Sequence, residues 1–116
     1  MAIYENKGQY ILMKPSSSYS LEGYRKTLHE ARAICDQYKL TKILADIRGW
    51  DVNIPDADRF ELGVEISNVL GFRIQLAILA PAAIIDRLGE NAAVNRGGKV
   101  FVTDNRAQAL RWLGVK

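Results

Sequence analysis

Few residues in this chain of 116 are of types that could carry chemistry, and their spacing limits what each could do. His29 is the single histidine and Cys35 the single cysteine. A nucleophile and its base must lie within hydrogen-bond reach. Neither a serine nor a cysteine stands beside His29, which shares the polar side of its segment with Glu22, Lys26 and Asp36. A solvated imidazole is expected. Cys35 falls on an apolar stripe, where a buried, unreactive thiol is the default. Metal centres need several His, Cys or clustered carboxylates. Asp51, Asp56 and Asp58 form the one cluster, and helix capping with first-turn charge accounts for Asp56 and Asp58. No catalytic residue, metal site or cofactor is therefore assigned, and the chain is expected not to be an enzyme.

Two further constellations invite a site. Asp46 and Arg48 could act as an acid/base pair, but side chains two apart on a strand share a face and more often form an ordinary ion pair. Asn95-Arg96-Gly97-Gly98-Lys99 has the look of a phosphate loop. It follows a helical segment instead of preceding one, so the negative end of the helix dipole points at it, and a glycine C-cap is the better reading. No GxGxxG or GxxxxGK[ST] pattern occurs in the chain.

The elements that must position these residues follow from apolar periodicity. Ile3–Glu5 and Gln9–Met13 read as a hairpin turning at Lys7-Gly8. Ser20 caps a helix in which Leu21, Tyr24, Leu28, Ala31, Cys35 and Tyr38 recur at spacings of three and four. Lys42–Ile47, Arg73–Ala80 and Lys99–Thr103 are nearly unbroken apolar runs, as in strands covered on both faces. Helical segments lie between and after them, at about 56–70, 84–95 and 105–113. Asn53 with Pro55, Pro81, and Thr103-Asp104 mark helix starts; Gly71 and Gly97-Gly98 mark ends. Buried strands alternating with helices predict an α/β fold. The expectation is one domain over 1–116, a mainly parallel sheet of four or five strands, an N-terminal hairpin and about four helices.

Composition agrees with a globular chain, 48% hydrophobic and 25% charged, with a formal net charge of +3. Acidic residues alternate with Arg87, Arg96, Lys99, Arg106 and Arg111, unlike the one-sided basic face of nucleic-acid modules, so no nucleic-acid partner is expected. The first residues lack a signal-peptide pattern, and the longest apolar run, Ile74–Ile85, is too short to cross a bilayer. A cytoplasmic location without stable membrane insertion is expected, and a lone cysteine fits it.

Several stretches resemble a known family: Ala45-Asp46-Ile47-Arg48-Gly49, Arg59-Phe60-Glu61-Leu62-Gly63, Ala92 to Gly97, Val100-Phe101 and Ala109-Leu110-Arg111-Trp112-Leu113. Together they resemble the small bacterial SpoIIAA-like proteins, related to the STAS domains of sulfate transporters and anti-sigma-factor antagonists and more loosely to CRAL-TRIO lipid-transfer domains. The resemblance implies a sheet of four or five strands with packed helices and a bacterial origin, but no particular activity. In the antagonists a serine at the start of the helix after the middle strand is phosphorylated. Here residues 48–56 contain no hydroxyl, and the next is Ser67. Without an acceptor, the phosphoserine switch is not expected.

Ligands of open α/β sheets usually sit outside the carboxyl ends of the strands. Those ends bring Arg48 beside a segment in which Trp50, Val52 and Ile54 are apolar at alternate positions. A lid folded back over the core and an apolar mouth or partner surface are both open readings. In the second long helix, Phe60, Gly63, Val64 and Ser67 line one side, with the glycine expected to approach the sheet, while Leu62, Ile66 and Val69 line another. A helix apolar on two sides must bury more than one face. A homodimer or partner interface through Leu62, Ile66 and Val69 is expected. The leading expectation is a binding or regulatory module acting through protein contacts, the alternative a carrier of a small apolar or lipid-like ligand.

Overall fold

The structure, a computed structural model, describes residues 2–14, 20–48, 55–81 and 98–115. Strands β1 (Ile3–Asn6) and β2 (Ile11–Lys14) form an antiparallel hairpin that pairs Ile3 with Lys14 and Asn6 with Ile11. The second strand starts later than its apolar run suggests. Residues 7–10 are used in the turn, where Lys7 N–H donates to the Tyr10 carbonyl at 2.9 Å and Gly8 takes φ 91°.

Helix α1 (Leu21–Tyr38) begins at Ser20, whose Oγ accepts the Gly23 N–H at 3.0 Å. Glycine suits this position because a Cβ would come 2.7 Å from that oxygen. Strand β3 (Lys42–Asp46), helix α2 (Asp56–Leu70), strands β4 (Gln75–Leu79) and β5 (Lys99–Thr103), and helix α3 (Arg106–Leu113) complete the described elements. Gly71 ends α2 with φ 63°. The cap of α3 is Asn105 rather than Thr103-Asp104: its side chain accepts from Gln108 N–H at 3.0 Å, while the Thr103 hydroxyl accepts the Asn105 N–H at 3.1 Å. The helix expected at 84–95, the fourth in the sequence reading, and Gly97 lie outside the described residues.

The sheet is mixed, with order β1-β2-β3-β4-β5, and β2 to β5 are mutually parallel. The fold is thus α/β. Alternation along each strand sends side chains to opposite faces. Ile11, Met13, Ile43, Ala45, Leu76, Ile78 and Val100 pack beneath α1 and α2. Leu12, Leu44, Ala77 and Leu79 meet Ala109, Leu113 and Val115 on the α3 side. Covering on both faces is why β3 and β4 lack a polar alternation. The stripe of α1 is buried from Tyr24 to Cys35, but Tyr38 leaves the core and is 49% exposed.

Helices α1 and α2 are tied side by side. Arg25 faces Glu22, Glu61 and Glu65 at 3.2, 3.7 and 3.9 Å. Arg32 pairs with Asp36 at 3.4 Å and donates to the main-chain carbonyl of Val69. Helix α2 has no basic residue in its own last turn, so α1 supplies the cation that meets its terminal carbonyls.

Candidate functional site

The parallel ladder continues past the carboxyl ends of the central strands. Ile47 N–H donates to the Leu79 carbonyl at 2.8 Å and Ala80 N–H to the Thr103 carbonyl at 3.0 Å, holding the ends of β3, β4 and β5 together. At these strand ends the Asp46 carboxylate receives Arg48 Nε at 3.0 Å, its terminal guanidinium nitrogen at 2.9 Å and its backbone N–H at 3.1 Å. The expected ordinary ion pair is what the strand end holds. Arg48 holds the Asp46 carboxyl below the usual range, and Asp46 in turn raises the Arg48 guanidinium. A carboxylate so engaged is a poor proton acceptor. Its evident effect is to fix Arg48, whose side chain is 47% exposed, in one orientation.

Trp50, Val52 and Ile54, expected to line a mouth or lid, lie outside the described residues. At the next strand ends Pro81 is half-buried, and Thr103 is buried with its hydroxyl donating to Gln108 Oε1 at 2.8 Å. Asp104 is exposed.

The expected interface on α2 is corrected by packing. Leu62, Ile66 and Val69 are 7%, 4% and 7% exposed and belong to the core with Leu70. Gly63 and Ser67 are buried too. The two apolar sides of α2 have neighbours within the chain, the sheet and α1, so the second stripe needs no further subunit. Phe60, placed on the sheet-facing side by periodicity, is instead 40% exposed.

His29 is exposed on α1, and Cys35 is fully buried. Burial pushes the Cys35 thiol up to about 11, with the Asp36 charge adding to the shift. Among the described residues no group of three or more His, Cys, Asp and Glu is placed to hold a metal ion, and no helix is long and apolar enough to cross a membrane.

Sequence reasoning missed the opposite end of the sheet. There the α1–β3 and α2–β4 connections border an open recess of about 320 Å³, with Lys39, Leu40, Arg73 and Ile74 in its wall. Phe72, immediately before Arg73, is 68% exposed. The glycine turn before it was a legible signal for the loop, though not for the exposure of the ring. Comparisons with protein-family models, with curated proteins and with solved structures return no match for this chain.

Proposed function

We propose that this chain is a non-enzymatic binding or regulatory module that engages a protein partner, or a second copy of itself, through Arg48 and the Trp50–Pro55 segment. The observation that carries the reading is the bidentate grip of Asp46 on Arg48. An exposed, oriented guanidinium thus stands just past the carboxyl end of the central strand, and arginine held in advance loses less freedom on binding. The aromatic and aliphatic residues at 50, 52 and 54 supply the apolar part of such a contact. Because residues 48–56 contain no hydroxyl, the module works without a phosphoserine switch. The β2, α1, β3, α2, β4 succession, each strand beside the one before it, is compatible with the proposed SpoIIAA-like, STAS-related fold; a bacterial origin is proposed on the sequence resemblance alone, and a cytoplasmic location on the lone cysteine.

The carrier reading has less support. Ile11, Met13, Leu28, Ile43, Leu44, Leu76 and Leu79 fill the described core without solvent exposure, and the recess at the far edge has charged walls. Native mass spectrometry of the purified protein, before and after organic extraction, tests both. The module predicts a stoichiometric protein mass added to the chain under native conditions and no matching small apolar molecule in the organic extract. A small apolar mass removed by extraction, or the bare chain alone, would overturn it.

A further inference from the structure

Charges that alternate along the sequence are sorted by the fold. At the edge where the parallel strands begin, Lys42, Gln75 and Lys99 are paired in register as the first residues of β3, β4 and β5. Lys39 caps α1 just before β3, and Arg73 precedes β4. Helix α3 returns to this edge, where Gln75 Nε2 donates to the Trp112 carbonyl at 3.5 Å. The carboxylate of this group is Asp36, already facing Arg32 at 3.4 Å. Among the described residues, Lys39, Arg73 and Lys99 have no carboxylate within ion-pair distance.

The same edge carries two exposed aromatic rings, each beside one of these cations. Tyr38 precedes Lys39, and Phe72 precedes Arg73. Gln75 N–H donates to the Thr41 carbonyl at 2.8 Å, which joins the two connections that bear them. Cations at helix C-termini are accounted for by the helix dipoles. A phenyl ring 68% exposed at a loop tip is not.

We propose that this edge docks onto an anionic lipid bilayer, with Phe72 entering the boundary between headgroups and acyl chains and Lys39, Lys42, Arg73 and Lys99 facing the headgroups. A plane of negative charge over an apolar layer complements cations arranged around a projecting ring. A nucleic-acid strand is favoured less, because it needs a basic groove that follows its backbone, and the recess here has the Asp36 carboxylate in its wall beside Lys39 and Arg73. The docking lies at the opposite end of the strands from Arg48 and does not depend on the protein-contact reading.

Flotation of the full chain with vesicles tests it, comparing phosphatidylcholine alone with phosphatidylcholine containing about a third phosphatidylserine. Each basic residue near such a surface is worth about fivefold in partitioning, so four give a preference of several hundredfold for anionic vesicles. Phe72→Ala is expected to weaken binding about tenfold, and Arg73→Gln and Lys99→Gln about fivefold each. Lys39→Asn, which tolerates the left-handed backbone there, behaves like Arg73→Gln. Lys26→Gln, exposed in the first half of α1, leaves binding unchanged, as does added inorganic phosphate at matched ionic strength. Equal binding to both vesicle types, equal loss from Lys26→Gln and Arg73→Gln, or capture by a single-stranded oligonucleotide in preference to anionic vesicles would each overturn the proposal.

Discussion

Arg32 on α1 donates through its guanidinium to the Val69 carbonyl at the end of α2, joining two helices that follow different strands. The acceptor belongs to a residue only 7% exposed, so its loss leaves a buried carbonyl short of a partner. Arg32→Ala is expected to lower unfolding stability by about 1–2 kcal/mol. Arg32→Met keeps the apolar stem, and urea unfolding should show the same loss. Full recovery in the methionine variant would assign the effect to packing alone.

The N-terminus of α1 offers a coupled pair. Ser20→Ala removes the hydroxyl cap and should cost about 1 kcal/mol. Gly23→Ala sets a helix-propensity gain of up to about 1 kcal/mol against a Cβ only 2.7 Å from Ser20 Oγ, so alone it should be near neutral. Once Ser20 is alanine that contact is gone, and adding Gly23→Ala should then stabilise. A double-mutant cycle in urea measures the coupling; strictly additive changes would contradict it.

The Asp46–Arg48 pair makes a signed pH prediction. Arg48 lowers the Asp46 carboxyl in the folded state, so the folded chain binds that proton less readily than the unfolded one. The resulting stabilisation is present above the ordinary aspartate value of about 4 and is lost as pH falls through the folded value. Asp46→Asn should therefore flatten the decline of the urea midpoint below about pH 4. Equal steepness in the two proteins would mean that the pair does not act on stability.

Cys35, fully buried and pushed up to about 11, should resist alkylation in the native state. Iodoacetamide at neutral pH is expected to label it at least about a hundredfold more slowly than in urea, because both access and thiolate fraction are low. Labelling at the unfolded rate would show that α1 opens readily.

Apolar periodicity made β3, β4, β5, α1 and α2 legible, because buried strands and long amphipathic helices impose patterns on every residue they contain. Turns were less so: Lys7 and Tyr10 close the hairpin through backbone groups that side-chain pattern does not specify. The second stripe of α2 showed that two sides are apolar but could not say which surface covers each; Leu62, Ile66 and Val69 share one buried cluster with Tyr24, Leu28 and Ala31 of α1. The basic edge was invisible because Lys42 and Lys99 become neighbours only through strand register. Asp46 and Arg48 lie close in sequence, and their pairing was readable from strand geometry.

Co-purification of the tagged full chain with Arg48→Ala, Trp50→Ala and Lys26→Gln variants tests the protein-contact reading at its origin. A stoichiometric partner retained by the parent and by Lys26→Gln, but lost from Arg48→Ala and Trp50→Ala at unchanged thermal stability, is the expected result. Undiminished retention in both site variants would contradict it.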